Sequence, residues 1–251
     1  MRASTTTGVT NRRGFITTAA TLAATPLVAA AVPLLPNSQR QRPPGRDQVL
    51  DLMLEQAAGI YSAMRAGERS PSQLARMEQI LRFQALHFRT HYDDDVSATA
   101  RARVAAVGRE ALVAEALAYR DQCCGKITEL ARRHAPSFAM PKLNAPAYGD
   151  LLKALETMER DGLSKHFSTW ADAFHRASER GQSHILRANV GGQDMWDSFC
   201  GFWEKSNEID AALLQIYCAM AFFMGIWAAE AICALWAIES GISDLAFAIV
   251  C

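Results

Sequence analysis

The fold class is decided by residues 47–88, which read DQVLDLMLEQAAGIYSAMRAGERSPSQLARMEQILRFQALHF. In the first half, apolar side chains recur every three or four positions, the period of an amphipathic α-helix: Leu50, Met53, Leu54, Ala57, Ile60, Tyr61 and Met64. Gly67 ends this helix, and Ser70 followed by Pro71 starts a second one as its N-cap and first residue. Because the second helix runs to about Phe88 after a short turn, the stretch predicts a helical hairpin.

The helical period continues on the C-terminal side of this hairpin. Asp93 opens a run of three aspartates that places negative charge at the start of a third helix, where the helix dipole favours it. That helix is predicted to run to about His134, and two more follow over residues 147–160 and 163–186. The sequence shows no alternating strand pattern and no glycine-rich phosphate loop. It therefore predicts an all-α bundle of about six to eight helices.

The most apolar stretch is residues 209–238, IDAALLQIYCAMAFFMGIWAAEAICALWAI. On one continuous helix at about 100° per residue, the polar residues in and around it fall in a stripe about 80° wide: Glu208, Gln215, Glu230 and Ser240. Such a narrow stripe is typical of a central helix wrapped by amphipathic ones, so we expect a long hydrophobic C-terminal helix in the core. On this interpretation Glu230 is a buried acid that needs a partner or a raised pKa.

Two alternatives for residues 209–238 stay open. The stretch is long and apolar enough to span a bilayer, which makes the membrane an alternative partner. Glu239 and Asp244 follow it, however, where an exported protein anchored this way would carry Lys or Arg on the cytoplasmic side. The other alternative is a hydrophobic peptide that is excised or self-associates.

The composition is that of a folded globular protein: 251 residues, 50% hydrophobic and 21% charged, with a mean hydropathy of −0.03. A chain of this length forms one or two domains. An amphipathic helical region over residues 47–190 is followed, after two glycines, by a hydrophobic cysteine-containing helical region over residues 193–251. Lys plus Arg balance Asp plus Glu at 26 each, so no overall field attracts nucleic acid, and no nucleic-acid partner is predicted.

The N-terminal region has the three parts of a signal peptide. Residues 10–31, TNRRGFITTAATLAATPLVAAA, begin basic, continue as a mildly apolar stretch and end in small residues. Arg12, Arg13 and Phe15 resemble the twin-arginine consensus, which a receptor reads as an address.

Ala29 and Ala31 are the small residues that predict cleavage after Ala31, so residues 1–31 form the signal peptide. Residues 32–46, rich in Pro and Arg, then form a linker. The resemblance implies that the twin-arginine translocase carries the already folded protein across the cytoplasmic membrane, to the periplasm, the envelope or the exterior.

Export permits disulfides, because the compartment outside the cytoplasm is oxidising. The candidates are Cys200, Cys218, Cys233 and Cys251. On one continuous helix, Cys218 and Cys233 would lie about 22 Å apart and could not bond to each other. We therefore expect Cys200 to pair with one of these two and Cys251 with the other. The alternative is that all four are small buried apolar residues.

His87 and His91 lie one helical turn apart, and Asp93 follows closely. Imidazole nitrogens and a carboxylate in this arrangement could hold a divalent metal, the only cofactor that the sequence suggests. The other interpretation of these residues is a hydrated helix end with an acidic cap.

Residues 186–192, LRANVGG, resemble the double-glycine processing site of secreted peptide precursors. With a signal of twin-arginine type and an apolar tail that carries cysteines, the organisation also resembles that of bacteriocin or halocin precursors. This resemblance implies that the C-terminal region is released as a secreted peptide.

The sequence carries no catalytic motif that we recognise. It favours an exported helical-bundle protein, monomeric or self-associating, that acts as a binding or structural component of the cell envelope or exterior. The alternatives are a membrane-tethered helical protein, the precursor of a hydrophobic secreted peptide, and a metal-binding enzyme that uses His87 and His91.

Overall fold

The computed structural model describes residues 47–68, 70–140, 146–186, 193–224 and 228–251. The predicted signal peptide, the linker and the double glycine lie outside these residues. The described ranges contain no β-strand and nine α-helices: α1 (Gln48–Arg65), α2 (Pro71–His91), α3 (Asp93–Val107), α4 (Arg109–Ala118), α5 (Arg120–His134), α6 (Tyr148–Asp161), α7 (Ser164–Leu186), α8 (Gln193–Met224) and α9 (Ala229–Val250). The all-α prediction is confirmed.

The first two helices form as their sequence predicts. The Asp47 side chain caps α1 by accepting hydrogen bonds from the amides of Val49 and Leu50, at 2.9 and 3.3 Å. Pro71 stands in the first turn of α2, where its missing amide hydrogen leaves no intrahelical bond unmade. The two helices pack against each other, but α2 packs mainly along α7 and α1 mainly along α9.

Residues 93–134 do not form the single long helix that the sequence predicts. The chain turns at Gly108 and again at Tyr119, which gives α3, α4 and α5. Gly108 has φ of 85°, a conformation that glycine adopts without the steric penalty of a side chain. Because of these turns, the three short helices pack against different partners. Helix α3 contacts α6, α4 contacts α6 and α8, and α5 contacts α8 and α9.

The apolar stretch 209–238 is likewise two helices and not one. Helix α8 ends at Met224, and α9 begins at Ala229 after Ala228, which has a left-handed φ of 58°. We call α8 and α9 the C-terminal hairpin. Folding the chain back between α8 and α9 lets the two helices cover each other's apolar sides, which one continuous helix could not do.

The C-terminal hairpin lies in the core of the bundle. Every residue from Asp210 to Ala221 and from Ile232 to Ser243 is buried, so both segments are covered on all sides. Helices α1, α5 and α8 surround α9, while α4, α5, α6 and α7 contact α8. Residues 229–248 of α9 are long and apolar enough to cross a membrane, and most of this stretch is buried inside the protein.

Candidate functional site

A fully buried carboxylate lies where α7, α8 and α9 meet. Asp210 on α8 is 1% exposed and accepts three hydrogen bonds. Nε2 of His166 on α7 lies 2.7 Å from its Oδ1, and Nε1 of Trp236 on α9 lies 2.5 Å from the same oxygen. Oγ of Ser240 donates to Oδ2 at 2.6 Å. Three donors from two neighbouring helices compensate a buried negative charge and fix the positions of these helices relative to α8.

The arrangement of these side chains is not that of a serine nucleophile. In a Ser-His-Asp triad the histidine lies between the other two and takes the proton of the serine. Here Asp210 lies between His166 and Ser240, and the hydroxyl of Ser240 hydrogen-bonds to the carboxylate and to the carbonyl oxygen of Trp236, not to His166. The cluster therefore holds a charge in place and does not activate the serine.

A second buried acid lies one residue before Ser240 on α9. Glu239 is fully buried, and neither of its carboxyl oxygens has a hydrogen-bond partner among the residues that the structure describes. Burial, with the nearby Asp210 carboxylate, raises the pKa of Glu239 well above its ordinary value, although the amide of Gln84 lowers it in part. Gln84 on α2 is also fully buried, and in the described part of the chain neither Oε1 nor Nε2 of its amide has a partner in hydrogen-bond geometry.

Aromatic rings line this polar centre. The ring of Trp236 has centroid distances of 5.1 Å to Phe167, 5.6 Å to His166 and 6.1 Å to Tyr217. The buried hydroxyl of Tyr217 has no hydrogen-bond partner among the described side chains and backbone, and burial strongly raises its pKa. The polar centre thus has little contact with water, which strengthens every electrostatic interaction within it.

Glu230, the acid predicted to be buried, is exposed. Its side chain retains 62% of its accessible surface in the first turn of α9, where its Oε1 lies 3.8 Å from Nζ of Lys126. The prediction was wrong because the polar stripe assumed one continuous helix. After the turn between α8 and α9, Glu230 faces solvent and Glu239 takes the buried position.

The four predicted disulfide candidates all pair, but not in the predicted way. Cys200 bonds to Cys251, and Cys218 bonds to Cys233. The expected pairing was wrong for the same physical reason, because folding the chain back between α8 and α9 brings the α-carbons of Cys218 and Cys233 to 6.1 Å. Both disulfides therefore start from α8. One joins it to Cys233 within α9, and the other joins it to Cys251, the residue that follows α9.

Of the predicted metal ligands, His87 and Asp93 make contacts with different parts of the protein. Nε2 of His87 lies 2.8 Å from Oδ2 of Asp47, which also accepts from the hydroxyl of Tyr92 at 2.6 Å. Asp93 turns away from both histidines, and its Oδ1 accepts from the amides of Leu163 and Ser164 at 2.9 and 3.1 Å.

The rings of His87 and His91 do lie close, with centroids 4.7 Å apart. Nevertheless, the residues that the structure describes include no group of three or more His, Cys, Asp or Glu side chains placed to hold a metal ion. Burial raises the pKa of Asp47, but hydrogen bonds from His87, Tyr92 and the amide of Val49, with the electrostatic attraction of His87, outweigh burial and hold this pKa well below its ordinary value. The site that sequence predicts for a metal is thus an anchor for the start of α1.

The chain matches no protein-family model, no curated protein and no solved structure. The structure itself is therefore the basis for any functional proposal.

Sequence reasoning did not single out His166, Asp210 or Glu239. The sequence did contain a signal that the buried helix extends past Glu239. Ile242 and Ala246 continue the apolar helical period beyond residue 238, and both are fully buried. No local pattern marks Asp210 or His166, since their partners lie 26 or more residues away in the chain.

Proposed function

We propose that the chain is an exported helical-bundle protein that acts in the periplasm, the envelope or the exterior as a binding or structural component. The core of this protein is the C-terminal hairpin, whose two helices are joined by two disulfides. The observation that supports this proposal most is the position of those disulfides, Cys218–Cys233 beside the turn of the hairpin and Cys200–Cys251 towards its other end. Disulfides persist in oxidising compartments and are rare in the cytosol, so they favour export.

The same disulfides argue that α9 is a core helix and not a membrane span. For α9 to cross a bilayer, α8 would have to lie beside it, because Cys233 and Cys251 are both bonded to α8. The bonded part of α8, residues 200–218, carries four charged residues: Glu204, Lys205, Glu208 and Asp210. Charged side chains at the centre of a bilayer cost about 2.5–3.5 kcal/mol each on insertion scales, which makes this placement unfavourable.

Export is tested by replacing the arginine pair in the full chain, Arg12→Lys with Arg13→Lys. We expect the variant to stay in the cytoplasm with reduced thiols, because the twin-arginine receptor requires both arginines. The matched control is Arg40→Lys with Arg42→Lys, which changes the same residue type within the predicted linker. Export of the first variant at the level of the control would contradict the proposal.

The membrane alternative is tested by alkaline carbonate extraction of cells that express the wild-type chain. A helix buried by its own protein has no apolar face left for lipid, so we expect the chain in the extracted fraction. Retention in the membrane pellet would instead support a membrane-tethered protein.

A second candidate function, the precursor of a secreted peptide, is favoured by one observation. Both disulfides lie within residues 193–251, so a tail cut at the double glycine would keep its own bridges. The test is the mass of the exported material, in which the tail would appear separately with its N-terminus near Gln193. A control with Gly191→Ala and Gly192→Ala should abolish such a fragment, and a wild-type chain that stays intact would contradict this candidate.

A further inference from the structure

Two long polar side chains meet in the core of the bundle. Glu239 reaches from α9 and Gln84 from α2, and each is 0% exposed. Within the part of the chain that the structure describes, the four polar atoms of the two side chains lack partners in hydrogen-bond geometry, although the amide of Gln84 is close enough to act on the Glu239 carboxyl. Unpaired buried polar atoms are strongly unfavourable, so this contact needs a physical explanation.

The charges around Glu239 do not favour its ionised form. Among the described residues, the side chains that act on Glu239 are Gln84, which is uncharged, and Asp210, whose carboxylate repels a second negative charge. From α7, His166 reaches Asp210 and not Glu239. From α8, Tyr217 presents a buried hydroxyl that burial keeps neutral.

Within the described ranges, the remaining neighbours of α9 include no cation that acts on Glu239. Tyr61 of α1 lies against Gly241, where an added Cβ would come within 2.9 Å of its ring. From α5, Lys126 pairs with Glu230, which is about 13 Å away from Glu239 along the helix at 1.5 Å per residue. An ionised Glu239 would therefore be an uncompensated charge beside another anion.

We infer that Glu239 and Gln84 form a proton-binding site that ties the C-terminal hairpin to α2, so that the bundle is more stable in acid than at neutral pH. The bound proton comes from solvent and stays on the Glu239 carboxyl. The neutral acid then has one O–H to donate to Oε1 of Gln84 and one C=O to accept from its amide, which matches the amide in both roles. This inference does not depend on export.

The sign of the pH effect follows from linkage. Folding raises the pKa of Glu239, so the folded chain keeps this proton over a range in which the unfolded chain has lost it. The stabilisation is complete below the ordinary value of about 4.3 and decreases as pH rises towards the folded value. One proton corresponds to a rise of up to about tenfold per pH unit in the unfolding equilibrium constant.

Burial raises the pKa of Asp244 as well, so Asp244 contributes a pH dependence of the same sign. The experiment must distinguish this contribution from that of Glu239. The test is therefore urea unfolding of the unreduced full chain from pH 4 to 8 for wild type, Glu239→Gln and Asp244→Asn. Glutamine has the size of a neutral glutamate and cannot ionise. We expect Glu239→Gln to lower the unfolding constant at pH 8 by at least tenfold and to approach wild type at pH 4, while Asp244→Asn keeps most of the wild-type pH dependence.

A pH dependence in Glu239→Gln as steep as that of wild type would overturn the inference. If that variant does not fold, proton uptake on refolding Asp244→Asn at pH 7, measured with a pH-stat, tests the same site. We expect the folded Asp244→Asn chain to hold about one proton more than the unfolded chain. No uptake would overturn the inference.

Discussion

Nε2 of His166 lies 2.7 Å from Oδ1 of Asp210, in a contact where the two side chains are 9% and 1% exposed. It joins α7 to the C-terminal hairpin. Asp210→Ala would leave the donors of His166, Trp236 and Ser240 without their acceptor inside the core. We expect the free energy of unfolding to fall by about 3–5 kcal/mol, measured by urea denaturation.

The control for Asp210 is Asp172→Ala on the exposed side of α7. Asp172 pairs with Arg82 at 3.1 Å but keeps 58% of its side-chain surface. Surface ion pairs contribute about 0–1 kcal/mol, so this variant should remain close to wild type. Equal effects of the two substitutions would show that Asp210 has no special structural role.

Asp47 predicts a pH effect of the opposite sign to that of Glu239. Its pKa is lowered in the folded chain, so its contribution is present above about 3.9, the value in unfolded chains, and is lost as pH falls through the folded value. Asp47→Asn keeps a good helix cap but removes the negative charge of the carboxylate, which accepts hydrogen bonds from His87 and Tyr92. We expect a loss of about 1–3 kcal/mol at pH 7 that becomes smaller as pH falls from about 4 towards 2.

The measurement for Asp47 is the urea midpoint at several pH values, with Asp121→Asn as the control. Asp121 is an exposed residue in the first turn of α5. A deficit of Asp47→Asn that stays constant down to pH 2 would contradict the role assigned to its charge.

Gly162 is required where the chain passes Asp93. Its φ is 67°, and an added Cβ would lie 2.5 Å from the carboxyl group of Asp93, which caps the start of α7. We expect Gly162→Ala to lower the melting temperature and to cost about 1–3 kcal/mol. Gly149→Ala is the matched control, since nothing lies within 4 Å of its added Cβ. That variant should be neutral or slightly stabilising because alanine favours helix, and an equal loss in both variants would be evidence against the close approach.

The two disulfides should differ in their access to a reductant. Cys218 and Cys233 are fully buried, whereas Cys251 is exposed and Cys200 is partly exposed. We expect brief treatment of the folded protein with a thiol reductant to open Cys200–Cys251 first, because thiol–disulfide exchange depends on access to the sulfur. Alkylation followed by peptide mapping identifies the opened pair, and earlier labelling of Cys218 would contradict this order.

The sequence was sufficient for the local parts of the fold. Helical period and caps predicted α1, α2, α6 and α7 within a few residues, because their apolar stripes and end signals lie inside each segment. Gly108 and Gly225 were available as signals for the breaks in the two overlong helices, since glycine is a poor helix former. Tyr119 gives no comparable signal for the third break.

The candidate site could not be predicted in the same way. His166 meets Asp210 through the packing of α7 on α8, and Gln84 meets Glu239 through the placement of α2 near α9. These contacts depend on tertiary packing, which local periodicity does not specify. The disulfide pairing failed for a related reason, because it depended on the turn between α8 and α9.

The most direct test of a disulfide-closed hairpin in an exported protein is the intact mass of the protein recovered outside the cytoplasm, before and after reduction. We predict one chain that has lost residues 1–31, retains Cys251 and gains the mass of two hydrogens for each of the two disulfides on reduction. Peptide mapping of the same sample should join Cys200 to Cys251 and Cys218 to Cys233. A chain recovered only from the cytoplasm with its signal intact and no mass change on reduction would contradict this claim.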